Sequence, residues 1–208
     1  EAYNYSIKLK KKNMNFFQSD VVIISKFIKS NDFIKSYDFL VSINKGNTPL
    51  QELLRQIIFS WVQVEKHKLN YNDALKVFQQ VSPRYKNINK INNVFLNCYY
   101  ETSNVETKFL NLINDQDTDF SRYTFFYSDY LIKKNSMDKA NSILEKKLID
   151  VPRNLLLNQF YSDINQKETN YLQNNFNCNN ISHIISELFY ITANALSTQG
   201  LYSSSNFY

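Results

Sequence analysis

Few residues in this chain have the chemistry to react. The two cysteines, Cys98 and Cys178, stand 80 positions apart, and the two histidines are His67 and His183. The cysteine spacing gives neither a disulfide framework nor a zinc-binding pattern, and it leaves the redox compartment open. Cys178 and His183 are close enough to share a metal ion, but two ligands without further Cys, His or carboxylate neighbours make a weak site. A Cys98–His67 nucleophile pair lacks the third, orienting group that such pairs need. His67 lies between Lys66 and Lys68 at the end of a helical pattern, where a cation complements the helix dipole. Asp115, Asp117 and Asp119 alternate as Ca²⁺ ligands do, but the glycine and distal glutamate of the EF-hand are missing, and a solvated turn is the simpler reading. Gly46 and Gly200 stand alone, so no phosphate-cradling loop is present. Neither a Gly-x-Ser-x-Gly elbow nor a His-Glu-x-x-His run occurs. The sequence therefore offers no catalytic residue, no cofactor site and no metal site.

The elements that must position these residues are helical. Two glycines and three prolines in 208 residues disfavour turn-rich β folds and flexible linkers, and 43% hydrophobic residues supply a sizeable core. No stretch of 18 apolar residues exists to span a membrane. The 29 asparagines and 20 lysines, against 5 alanines and 4 arginines, follow an AT-rich codon bias. Residues 1–100 carry a net charge of +8 and residues 101–208 of -3. A basic half could favour an acidic partner, but scattered lysines on polar helix faces are the better account of it.

Apolar residues recur at spacings of three and four from Phe120 to Ile132, and again through Met137, Ala140, Ile143, Leu144 and Leu148, with Pro152 just beyond. The break between them, Lys133–Ser136, makes the pair a helical hairpin. Asn31, Asn70, Ser103 and Ser136 each precede a second helix as N-cap residues would, at separations of 39, 33 and 33. Ser103-Asn-Val-Glu106 and Thr48-Pro-Leu-Gln51 have the capping-box pattern, the latter with Pro49 at the first helical position. The next comparable break, Gln199-Gly200, falls about two periods after Ser136. Paired helices repeating every 33–34 residues are the signature of a solenoid.

These residues resemble the tetratricopeptide repeat (TPR). Phe120–Pro152 fits best, with Tyr127, Leu131 and Leu144 at large positions, Ser128 and Ala140 at small ones, and Pro152 at the end. Trp61, Ala74, Phe78 and Val81 carry the pattern in the hairpin from Leu54, although Val62 stands where a small residue is usual. Ser36 replaces the alanine in the first hairpin, Thr107 or Lys108 does so in the third, and the last hairpin offers Leu188, Thr192, Leu201 and Ser204. The arrangement is also similar to alphaproteobacterial-type degenerate TPR proteins, which insert an irregular segment before a final repeat. Here that segment is 165–180.

The resemblance implies an all-α fold, a right-handed α-α superhelix of about five TPR-like hairpins covering residues 1–208 as a single segment. Both ends fall inside repeats, so the chain reads as a piece of a longer protein. The third hairpin, with a lysine or threonine at its small position, is expected to pack least tightly. In such a solenoid the first helices line a concave face, which places Lys29, Gln63, Lys66, His67, Tyr100, Phe125, Asp129 and Lys133 along it. Val21, Val22, Ser25, Phe59 and Gln63 do not supply the charge cluster that clamps a peptide carboxylate. Ile181, Ile184, Ile185, Leu188, Phe189, Ile191, Thr192 and Leu196 form a stripe wide enough for a helix buried on several sides.

The function expected from the resemblance is a non-catalytic scaffold or assembly factor whose partner is another protein or a peptide segment. Similar bacterial proteins place it in the cell envelope or periplasm, with the cytoplasm as the alternative. Helical-repeat RNA binding is the second reading, supported by the basic half and the 15 tyrosines. Against it, Asp20, Asp32, Asp38, Glu52, Glu65 and Asp73 interrupt that half, which leaves nucleic acid disfavoured as a partner. An accessory domain of a larger enzyme is the third reading.

Overall fold

The computed structural model describes residues 1–43, 46–166 and 176–208. Among these residues there are twelve helices and no strand. In chain order they are α1 (Ala2–Lys11), α2 (Phe17–Lys29), α3 (Phe33–Ser42), α4 (Pro49–His67), α5 (Tyr71–Gln79), α6 (Lys86–Tyr99), α7 (Val105–Ile113), α8 (Arg122–Lys133), α9 (Met137–Asp150), α10 (Leu155–Asn165), α11 (Ile181–Thr198) and α12 (Tyr202–Ser205). The all-helical expectation holds, and among the described residues no helix is long and apolar enough to cross a membrane. The chain divides into two compact units, Glu1–Arg84 with Asn180–Tyr208, and Tyr85–Asn179.

Among the described residues one turn is used six times. Asn13, Asn31, Lys68, Glu101, Asn135 and Gly200 have φ between 47° and 75°, the left-handed region, each just after a helix end. Beyond each, an N–H reaches back five residues to a carbonyl: Met14 to Leu9, Asp32 to Phe27, Leu69 to Val64, Thr102 to Asn97, Ser136 to Leu131 and Leu201 to Leu196, all within 2.9–3.1 Å. This is the Schellman arrangement, which satisfies carbonyls that a helix end would leave bare. Asparagine and glycine enter that region at low cost, whereas a lysine pays the Cβ clash. Lys68→Gly is therefore expected to raise stability by about 0.5–1 kcal/mol. The ion pair it removes, Lys68 to Glu65 at 2.8 Å, is solvent-exposed on the lysine side and contributes little. A lower urea midpoint for this variant would contradict the assignment.

The repeated turn also corrects two caps. Asn31 is the left-handed residue itself, and Asp32 beside it caps α3 by accepting from the Lys35 N–H. Before α7 the N-cap is Asn104 rather than Ser103, and no side chain caps it. The box does not form there because Glu106 is turned elsewhere, onto Lys139 and the Tyr127 hydroxyl. Asn70 caps α5, and Thr48 caps α4 with Pro49 in its first turn. Ser136 takes the N-cap position of α9 without a side-chain hydrogen bond. Gly46 sits so close to the start of α4 that a Cβ there would lie 2.4 Å from the Glu52 nitrogen. Its N–H donates to the Glu52 carboxylate, which the Arg55 guanidinium holds far below the ordinary range, at about 2.

Several of the positions that carry the repeat resemblance are core. Trp61, Ala74, Tyr127, Ser128, Ala140 and Leu144 are all fully buried. Ser36, Ala74 and Ala140 each stand four residues after their N-cap, and a small side chain there lets the paired helices close. Ala140→Leu is expected to cost about 1–3 kcal/mol by overpacking that contact, read as a lowered thermal midpoint. Lys108 holds the corresponding place in α7 and stays half-buried. Beside it α6 and α7 leave a cleft of about 390 Å³, lined by Asn89, Asn93, Lys108 and Asn111 among others.

In the second unit, α6–α7, α8–α9 and α10 pack in succession. Polar ties join equivalent places one period apart: Lys134 to Glu101 at 2.7 Å and Lys139 to Glu106, both 33 residues apart, and Lys147 to the Ile113 carbonyl, 34 apart. Helix α10 fills the period that the sequence pattern passes over between Ser136 and Gly200.

In the first unit α1 packs on α2, α2 on α3, α3 on α4 and α4 on α5. Here α11 lies against α2 and α4, with Ile181, Ile184, Ile185, Leu188, Thr192 and Leu196 buried. The wide apolar stripe is thus used within the chain. Of the irregular segment expected at 165–180, residues 167–175 lie outside the described residues.

Candidate functional site

The eight residues expected on a concave face fall four in each unit. In the first unit, Lys29 is exposed at the end of α2 and Gln63 is half-buried on α4. Lys66 and His67 turn onto α3: the Lys66 ammonium sits 3.5 Å from the centre of the Tyr37 ring, and the His67 ring meets Tyr37 edge-on at 5.2 Å. They pack one hairpin on the next. In the second unit, Tyr100 caps the end of α6 beside Tyr99, and Phe125 is buried against Phe160 at 4.6 Å. Asp129 and Lys133 of this unit are joined directly.

Asp129 and Lys133, one turn apart on α8, line a cavity of about 200 Å³. The Asp129 side chain is 2% exposed, and Lys133 Nζ donates to its Oδ2 at 2.6 Å. Among the described residues Oδ1 has no hydrogen-bond partner. Burial pushes the Asp129 carboxyl above its ordinary value, and the Lys133 ammonium opposes the shift. At the rim, Lys134 pairs with Glu101 and holds that carboxyl below its usual value. Burial raises the Tyr130 hydroxyl.

The opposite wall is a short run of chain, Phe176–Asn179. The Phe176 ring lies 4.9 Å from Phe95 and 4.5 Å from Phe126. Its carbonyl accepts from Lys133 Nζ at 2.5 Å, and Asn179 Nδ2 donates to Glu101 Oε1 at 3.4 Å. Cys178 is bonded to Cys98 of α6, with Cα atoms 5.8 Å apart, inside the usual disulfide range.

The two cysteines, whose spacing gives no disulfide framework, are paired with each other. The bond also removes both as reactive groups. A bonded Cys178 supplies no thiolate to a metal shared with His183, and a bonded Cys98 is no nucleophile for His67. No sequence signal joins residues 80 apart, because only the tertiary path of the chain brings α6 and Cys178 together. Phe176, Glu101, Tyr130, Lys134 and Asn179 were missed for the same reason. The aspartates after α7 shape a turn, where the Asp117 and Thr118 N–H groups donate to Asp115 and Ser121 N–H donates to Asp119. Among the described residues no group of three or more His, Cys, Asp or Glu is placed to hold a metal ion.

The site thus offers aromatic faces, two matched ion pairs and one buried carboxylate oxygen with bonding capacity to spare. That set suits the holding of a peptide-like group. No protein-family model matches this chain, and no curated protein or solved structure is similar to it.

Proposed function

We propose that this chain is a non-catalytic protein–protein interaction scaffold, built from TPR-like hairpins that wind into a right-handed superhelix. The observation that carries the reading is the six-fold recurrence of one inter-helix turn. The buried small residue at the same place in three second helices and the polar ties 33–34 residues apart support it further. Hairpins of this kind bury their faces only by stacking on neighbours, and the surface that remains is used for recognition. The step from repeat to recognition is an analogy of fold.

The Cys98–Cys178 bond favours an oxidising compartment, which agrees with a bacterial periplasm or cell envelope. Several lysines of the basic half are engaged, Lys10 with Asp20, Lys35 with Asp32, Lys66 with Asp38 and Lys76 with Asp73. Paired lysines release few counterions, so RNA binding is weakly supported. The test is affinity isolation of the full-length protein from its native cell after nuclease treatment, followed by mass spectrometry. A stable protein complex that survives moderate salt is expected. Recovery of nucleic acid alone, in an untreated sample, would overturn the reading.

A further inference from the structure

Four residues of the second unit, Phe176–Asn179, lie on α6 and α8 as a bound peptide would. An aromatic ring fills a slot between Phe95 and Phe126. A main-chain carbonyl accepts from the Lys133 ammonium. An amide side chain donates to Glu101. Each is a contact that a separate chain could make, with a half-buried aromatic anchor and polar groups around it. Only the Cys178–Cys98 bond has no counterpart in an ordinary peptide complex.

We infer that this face of α6 and α8 is a docking site for an extended partner segment carrying an aromatic residue. Residues 176–179 occupy it as an intramolecular stand-in, and the disulfide decides which occupant holds it. The inference rests on the protein-binding reading above. A covalent tether gives the stand-in a high effective concentration that a free segment does not match. Cys178, 9% exposed, is the more open sulfur, and Cys98 is 2% exposed. A dithiol reductant opens the bond by thiolate attack on Cys178. Cys98 leaves as a thiolate and takes a proton. The second thiol of the reductant then displaces Cys178. Two protein thiols remain, and the reductant departs as its cyclic disulfide. The stand-in has then lost its covalent tie, and a partner segment competes for the slot.

The test uses the acetylated, amidated peptide of residues 176–180 with Cys178→Ser, observed by saturation-transfer NMR. Transfer to its phenylalanine ring is expected from protein reduced with dithiothreitol, and about tenfold less from the oxidised protein. The same peptide with Phe176→Ala should receive none. Equal transfer in both redox states, or none from reduced protein whose helices persist by circular dichroism, would overturn the proposal. If reduction melts the helices, Phe176→Ala with the bridge intact decides. Its vacated slot is expected to take up phenol where the wild type does not, and absence of uptake overturns the proposal. Failure here leaves the scaffold reading standing, because affinity isolation tests that separately.

Discussion

Reduction of the Cys98–Cys178 bond is expected to destabilise the second unit by about 4.5 kcal/mol in the chain-entropy account of a loop this long. The bond closes a loop with a sequence separation of 80, and both sulfurs lie within Tyr85–Asn179. Cross-linking removes open conformations from the unfolded chain, so its loss is felt mainly there. The expected change is a large part of the 5–15 kcal/mol that holds a typical domain together. Urea unfolding should show it as a midpoint about 2–3 M lower in dithiothreitol than under oxidising conditions. Cys98→Ser and Cys178→Ser should each reproduce the reduced value, and the double variant should add little, because all three remove the same bond. An unchanged midpoint would mean that the bond does not form in solution.

The second large effect belongs to Lys133. Lys133→Met leaves the Asp129 carboxylate buried without its counter-charge, which is expected to cost about 2–4 kcal/mol. Asp129→Asn removes the charge and should cost far less. The double variant should recover much of what Lys133→Met loses, so the cycle gives a coupling of about 1–3 kcal/mol. The pH dependence has a definite sign. Asp129 has a folded-state pKa raised above 3.8, so the folded chain holds the proton where the unfolded chain has released it. This contribution to stability is complete below 3.8 and is lost as pH rises through the folded value. Removing Lys133 raises that value further. The gap between Lys133→Met and wild type should therefore narrow on acidification. A gap that stays constant from pH 7 to pH 4 would contradict the pairing.

The helical pattern was legible because it is local. Thr48 and Asn70 mark helix starts through bonds spanning three residues, Pro49 does so by its fixed backbone angle, and Ala74 and Ala140 mark close helix contacts by their size. Local ambiguity explains the misplaced caps. Asn31 and Asp32 are both good turn residues, and only the backbone angle shows that the asparagine takes the left-handed position. Ser103 and Glu106 have the right spacing for a box, but Lys139, 33 residues further on, claims the carboxylate. The site was harder to read. Lys66 and His67 occupy a polar helix end in sequence, and it is Tyr37 of the preceding hairpin that both of them meet. Asp129 and Lys133 share a face one turn apart and were found together. The wall opposite them comes from Phe176–Asn179, more than 40 residues later, and helix periodicity carries no information about it.

The most direct test is photo-crosslinking from Tyr130, which lines the cavity on α8, in the full-length protein within its native cell. A photoreactive residue there is expected to capture one defined partner protein, with the adduct increased when Cys98–Cys178 is reduced. The same group at Lys146, on the exposed side of α9, serves as the control and should not capture it. No protein adduct at Tyr130, or the same adducts from both positions, would contradict a scaffold that recognises its partner through the faces of its first helices.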